Sequence, residues 1–293
     1  MQIGNLREIY QKELKKLGEK FLAQHQSPLF LSKHTQLIDT TLGVIWRSYG
    51  LDNNFCLIGV GGYGRKELFP YSDIDFLVLS QDALDKDESE QISKFITSCW
   101  DLGLKIGHSV RSLNDVKEEF HKDITTATNL LENRLVCGKI TLFNKLLVII
   151  DKELSPKDFY AGKVAEQIAR HKKYKDTAYQ LEPNIKESPG GLRDIQTILW
   201  LSNSQKKGKT LSDLYKNNII DKAEFNKITA HVNRTNKRRI LLHLLSESAQ
   251  DRLSFDLQNQ MAKNLGYPSN NSRKSSEILM KNYYKSVNYI ILF

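Results

Sequence analysis

The segment GVGGYGRKELFPYSDIDFLVL, residues 59–79, gathers the residue types of phosphate and metal chemistry in one short stretch. Asp73 and Asp75 stand two apart in an apolar run. Side chains on a strand alternate between faces, so both carboxylates project from one side while Ile74 and Phe76 enter the core on the other. Such a pair repels itself unless a cation neutralises it, and a site made only of oxygen favours Mg²⁺ or Mn²⁺ over zinc. Upstream, Gly61, Gly62 and Gly64 let backbone N–H groups come close to a ligand, and exposed donors of that kind suit phosphate oxygens. Arg65 and Lys66 add positive charge beside them. Together these are the parts needed for nucleotidyl transfer. A metal held by Asp73 and Asp75 bridges the triphosphate oxygens, orients an attacking hydroxyl and neutralises charge as pyrophosphate leaves.

Gly59, Gly61 and Gly64 also satisfy the G-x-G-x-x-G of dinucleotide-binding folds. That fold needs a full helix and a crossover of about a dozen residues before the next parallel strand. Pro70 stops any helix early and the next strand begins near Ile74, which argues against it. No G-x-x-x-x-G-K-[ST] occurs, so a P-loop is excluded.

A second glycine pair lies in LEPNIKESPGG, residues 181–191, whose prolines and glycines demand a loop. Gly190 and Gly191 precede the apolar helix of Ile195, Ile198, Leu199 and Leu201. That helix is expected to start with bare N–H donors flanked by Lys186 and Arg193. The expectation is a second anion site, formed as a helical domain closes on the first. The competing reading is a helix cap that pins the domains, with Arg193 and Asp194 as an interdomain ion pair.

Periodicity shows the elements that must position these groups. Residues 1–50 predict two helices, carrying Ile9, Leu14, Leu17 and Phe21, then Leu37, Ile38, Leu42, Ile45 and Trp46, at helical spacing. Residues 55–60 and 74–79 read as buried strands, about 88–100 as a helix and 104–110 as a strand. After Leu113 the pattern is helical almost to the end, with long amphipathic stretches near 155–180, 191–203, 221–245 and 274–290. The pattern gives a small α/β domain over 51–150, with N-terminal helices over 1–50 before it and an all-helical domain over 151–293 after it. The apolar residues 290–293 carry no cap or polar tail, so a fragment of a longer protein is expected.

The chain has 293 residues and a net charge of +9. Residues 1–150 hold 18 Lys and Arg against 19 Asp and Glu, and residues 151–293 hold 25 against 15, so the excess is all in the second half. A basic half suits a polyanionic ligand. The runs KKYK at 172–175 and NKRR at 236–239 lack the interleaved aromatics of a base-stacking platform, so nucleic acid is not favoured. Cys56, Cys99 and Cys137 are odd in number and widely spaced, which argues for buried reduced thiols. No run approaches the roughly 18 apolar residues of a membrane span, and the N-terminus lacks a secretory pattern. No membrane partner and a cytoplasmic location are expected.

Five segments, taken in order, bring a resemblance. They are residues 59–79 above, WDLGLKIGHSVRSLNDV (100–116), DITTATNLLENRLVCG (123–138), NIKESPGGLRDIQTILWL (184–201) and LLSESAQDRLSFDLQ (244–258). Together they resemble the N-terminal part of the bacterial PII uridylyltransferase/uridylyl-removing enzymes, of the DNA polymerase beta-like nucleotidyltransferases. The resemblance implies an α+β class in which 51–150 is a small mixed-sheet nucleotidyltransferase domain. The resemblance implies Mg²⁺- or Mn²⁺-dependent transfer of UMP from UTP to a tyrosine hydroxyl of the PII nitrogen-signal protein. It implies Gly61 and Gly62 as the phosphate-binding pair, assisted by Ser72, and Asp73 and Asp75 as catalytic metal ligands. Arg65, Lys186, Gly190, Gly191 and Arg193 complete the expected nucleotide contacts.

Many superfamily members use a third carboxylate on a later strand. Here that strand, 104–110, holds His108 and Ser109 instead. The third ligand is unassigned, with Asp101 and Asp194 as candidates, and His108 is either a functional group or a structural histidine at the strand edge. Full-length relatives continue into HD-type phosphohydrolase and ACT sensor domains. Neither appears in the 293 residues, so uridylyl removal and glutamine sensing are not expected. Two alternatives stand: a protein adenylyltransferase of the glutamine synthetase type, which shares the double glycine, the Asp pair and a similar PGG loop, and a non-catalytic nucleotide-binding or interaction module.

Overall fold

The computed structural model describes residues 3–269 and 274–293. The chain divides into two compact units, Met1–Gln24 with Pro28–Leu154, and His25–Ser27 with Ser155–Phe293.

The first unit is built from α1 (Ile3–Gln24), α2 (Ser27–Ser48), β1 (Cys56–Gly59), α3 (Gly61–Gly64), β2 (Ile74–Ser80) and α4 (Lys86–Asp101), followed by β3 (Ile106–Ser112), α5 (Leu113–Glu119), α6 (Ile124–Leu131), β4 (Arg134–Gly138) and α7 (Ile140–Glu153). The sheet order is β3-β2-β1-β4. β1 runs antiparallel to β2 and β4, while β2 and β3 are parallel. This is the mixed sheet of the α+β expectation. The antiparallel β1–β2 pair also disposes of the dinucleotide fold, whose first two strands are parallel.

β2 is buried almost throughout, which is why its sequence is a continuous apolar run rather than an alternating one. On one face Ile74, Phe76 and Val78 pack with Leu57, with Ile38, Leu42 and Trp46 of α2, and with Ile92, Phe95 and Cys99 of α4. Trp46 and Phe95 meet edge to face at 5.2 Å. Truncating either to alanine should cost about 3–5 kcal/mol, because each is fully enclosed. α4 starts where Asp85 and Glu88 form a reciprocal capping box, so local sequence and burial agree on its register. Residues 1–50, read as a pair of helices, share this core with the sheet through Leu6, Ile38, Leu42, Ile45 and Trp46.

β4 corrects the sequence reading, which took the chain after Leu113 as helical. Its five residues are half-buried and pair along β1, with a register shift between Leu57 and Ile58. A run that short carries no alternation strong enough to separate strand from helix. Gly138 closes it at φ 91, where a Cβ would lie 2.3 Å from the Phe55 carbonyl oxygen.

The second unit contains α8 (Pro156–Lys173), α9 (Leu192–Ser204), α10 (Leu211–Lys216), α11 (Lys222–Ser246), α12 (Phe255–Asn264) and α13 (Ser275–Leu292). Ser155 caps α8, with proline in its first turn, and Asp221 and Glu224 cap α11. Ile195, Leu214, Ile220, Ile228 and Ile290 form one of its apolar clusters. Among the described residues no helix is long and apolar enough to cross a membrane. All three cysteines are free; burial pushes the Cys56 and Cys99 thiols up to about 12.

Candidate active site

The site grows from the turn between β1 and β2. Gly61 adopts φ 56, a left-handed conformation that glycine enters without a Cβ penalty, and it starts the single turn of α3. Gly64 answers a different demand: a Cβ there would lie 1.7 Å from the Glu132 carbonyl oxygen, because the end of α6 rests directly on this backbone. The N–H groups of Gly61, Gly62 and Tyr63 open a helical turn and have no partner within it. Those of Gly64, Arg65 and Glu67 return to Val60, Gly61 and Gly62 carbonyls at 3.0, 3.1 and 2.8 Å.

Two polar clamps hold the turn. The Tyr63 hydroxyl donates to Asp39 at 2.6 Å, and Arg134 of β4 donates to both Asp39 oxygens at 2.9 Å while lying over the Tyr63 ring. On the other side Arg65 donates to Glu67 at 2.9 Å and also to Glu132. Arg65, expected as a charge beside the phosphates, is thus occupied by two carboxylates. Buried ion pairs of this kind fix geometry more than they add stability.

Asp75 lies on β2 beside that turn. The register places Gly107 of β3 opposite it, and a Cβ at 107 would lie 2.2 Å from Asp75 Oδ1, so the glycine makes room for the carboxylate. Asp75 Oδ2 lies 3.5 Å, and Asn129 Oδ1 3.8 Å, from the point where a Gly61 Cβ would stand. The space over Gly61 is therefore bordered by two oxygens from different elements and kept clear by the missing side chain. Asp73, just before β2, is exposed; Ser72 and Gly62 are half-buried. Sequence reasoning missed Gly107, Asn129 and Glu132, although each falls inside a segment that carried the resemblance.

No third carboxylate comes from β3. Gly107 and Ser109 pair with Asp75 and Leu77, so they share the carboxylate face and hold no acid there. His108 pairs with Phe76 and so belongs to the opposite face, where its ring lies 5.5 Å from Trp100. The structure places it as an edge histidine among aromatics. Asp101 ends α4 exposed to solvent. Among the described residues no group of three or more His, Cys, Asp or Glu is placed to hold a metal. The Asp75 carboxylate, a neutral amide oxygen and an open glycine cradle, with Asp73 exposed just before β2, fit a hard divalent cation, which accepts neutral oxygens and water beside carboxylates.

The PGG loop is built on other lines. Ser188, Pro189, Gly190 and Gly191 are buried. The donors expected to be bare at the start of α9 are satisfied: Gly191, Leu192 and Arg193 N–H reach the Ser188, Ile185 and Lys186 carbonyls at 2.8, 3.3 and 2.9 Å. Gly190 N–H donates to Asp194 Oδ2 at 2.6 Å. Asp194 also accepts from Arg170 and from His171 at 2.9 Å. Burial alone would raise its carboxyl, and these donors outweigh that and hold it below the usual range. Arg193 pairs with Glu187 at 3.1 Å and lies over Trp200, so the expected Arg193–Asp194 pair does not form. Lys186 lies 3.6 Å from the same Glu187. Burial and the neighbouring Arg239 and Arg193 lower its pKa.

Comparison with known proteins finds a family model and named relatives. Residues 158–291 match the model of the family described as GlnD PII-uridylyltransferase. Proteins named bifunctional uridylyltransferase/uridylyl-removing enzyme are similar over nearly the whole chain. The one from Chromobacterium violaceum is 40% identical over 96% of this chain and 33% of its own length. That from Nitrosospira multiformis is 41% identical over 92% and 31%, and that from Ralstonia nicotianae 39% over 95% and 32%. The chain thus spans about a third of the length of the curated relatives it matches. The glycine turn, the strand carboxylate and the helical unit lie within the stretch similar to these uridylyltransferases, and residues 158–291 carry a domain of the GlnD PII-uridylyltransferase family.

Proposed function

We propose that this chain transfers UMP from UTP to a tyrosine hydroxyl of a PII-type signal protein, releasing pyrophosphate, at the site around Gly61 and Asp75. The observation that supports it most is the cleared space over Gly61, bordered by Asp75 and Asn129 oxygens and by the opening N–H groups of α3. Asp73 and Asp75 would hold Mg²⁺ or Mn²⁺. When bound, the metal neutralises triphosphate charge and favours departure of pyrophosphate. Gly61 and Gly62 offer backbone donors to the phosphates, and Ser72 adds a hydroxyl. Gly107 and the antiparallel β1–β2 pairing fix the Asp75 carboxylate, while the Asp39–Tyr63–Arg134 and Arg65–Glu67–Glu132 clamps keep the turn from moving under the load of phosphate charge.

In this reading Arg65 positions the turn rather than touching phosphate, and the PGG loop shapes the helical unit. Lys186 and Arg193 reach a triphosphate only by giving up Glu187. A test is incubation with PII protein, Mg²⁺ and either UTP or ATP, followed by intact mass. One UMP added to PII with UTP, and nothing with ATP, is the expected result. Addition of AMP instead would replace the reading by adenylylation, and no addition with either nucleotide would leave a binding module.

A further inference from the structure

The clearest group that the expected site residues leave unused is Asn129. It is exposed on the last turn of α6, the helix whose end rests on the glycine turn, and its Oδ1 borders the same space as Asp75 Oδ2. Nothing at that position serves the fold's own core: its neighbours Ala127, Thr128, Leu130 and Leu131 are buried, and Asn129 points the other way. Of the two carboxylates expected there, Asp75 borders the space and Asp73 is exposed just before β2, while β3 presents Gly107 and Ser109 on the Asp75 face and no acid.

We propose that Asn129 supplies the third protein oxygen of the metal site, a neutral amide ligand in place of a third carboxylate. The proposal rests on the metal-dependent reading above. Asparagine suits this position for a physical reason. Asp75 already borders the space, and Glu132 stands close by under Arg65, so a further carboxylate at the end of α6 would add repulsion to the metal-free protein. An amide oxygen completes the coordination of a hard cation without that charge, and an asparagine beside an aspartate is a known pairing for Mg²⁺ in phosphoryl-transfer sites. It also leaves the net charge around the cation more positive, which favours a tetra-anionic nucleotide in the remaining positions.

The test reads metal binding directly, with no turnover: Mn²⁺ titration of the 293-residue chain followed by electron paramagnetic resonance, without nucleotide. Asp75→Asn is the control for the site itself and should remove tight Mn²⁺ binding. Asn129→Ala should weaken Mn²⁺ about tenfold, and Asn129→Asp should tighten it while lowering the metal-free melting temperature. Melting with and without saturating Mn²⁺ gives a second readout, since the metal should raise Asn129→Asp more than wild type. Wild-type Mn²⁺ affinity in both Asn129 variants, with Asp75→Asn inactive in binding, overturns the proposal and leaves the site standing. Wild-type affinity in Asp75→Asn overturns the site, and the proposal with it. If Asn129→Ala fails to fold, the isosteric Asn129→Asp decides alone: unchanged affinity rejects the ligand role.

Discussion

The molecule contains two glycine pairs that look alike in sequence and do opposite work. At Gly61 a side chain would enter an open space, with its nearest neighbours the Asp75 and Asn129 oxygens at 3.5 and 3.8 Å. At Gly190 a side chain would strike Val287 Cγ1 at 2.5 Å and the Val287 carbonyl at 2.7 Å, and at Gly191 the Lys186 carbonyl at 2.7 Å. Both Gly61 and Gly190 take positive φ. Gly61 leaves a space open beside Asp75, whereas Gly190 and Gly191 let backbone pack on backbone. The satisfied donors of the PGG loop tell the same story, because a loop that feeds its own helix start has nothing left to offer a phosphate.

The sharpest way to break this contrast is to add the same methyl to both. Gly190→Ala should destabilise the protein by about 3 kcal/mol or more, combining left-handed strain with overpacking against Val287. Gly61→Ala should cost about 1 kcal/mol through strain alone while sharply weakening nucleotide binding. Urea unfolding and UTP calorimetry on both variants check it. Equal destabilisation, or nucleotide loss confined to Gly190→Ala, would dissolve the distinction.

Acid should separate the regions too. His34 of α2 is buried and donates Nδ1–H to the Leu68 carbonyl at 3.0 Å, pinning the chain that leads toward Asp73. Its Nε2 has no partner, and burial lowers its pKa to about 4 from the usual 6.5. The folded state needs this ring neutral. Its contribution is therefore complete above pH 6.5 and lost as pH falls toward 4, by roughly 3 kcal/mol. Asp194 in the PGG loop is depressed instead, so its contribution persists until pH falls below the ordinary 3.8. Thermal unfolding of wild type and His34→Gln between pH 7 and 4 tests this: the variant should lose most of the wild-type slope. A wild-type curve flat over that range would contradict it.

The smallest effect sharpens the role of the PGG cations. Arg193→Ala removes one partly exposed ion pair with Glu187 and one stacking contact on Trp200. It should cost about 1 kcal/mol of stability and leave UTP affinity within about twofold. A tenfold loss of UTP affinity at unchanged stability would restore this loop as a nucleotide contact.

What the sequence reveals follows from the range of each interaction. Strands at 55–60 and 74–79, the helix behind them and the four long helices of the second unit are local patterns, and the structure has them within a few residues. The side to which Asp75 projects was legible because strand alternation is local, whereas Asp73 lies just before β2. The role of Gly190 was not, because what fills its missing side chain is Val287, nearly a hundred residues away. Asn129 and Glu132 likewise reach the glycine turn through packing of α6, which no spacing rule encodes. His108 misled because the register that turns it from the carboxylates depends on which strand pairs with β2.

The central claim is that the space beside Asp75 is where transfer occurs. Asp75→Asn keeps the shape of the side chain, removes its charge and relieves its repulsion with Asp73. Single-turnover incorporation of labelled UMP into PII protein, with unfolding measured on the same preparation, is the most direct test. Loss of transfer with a stability equal to or slightly above wild type is the expected result. Wild-type transfer with an unchanged metal dependence would contradict the account.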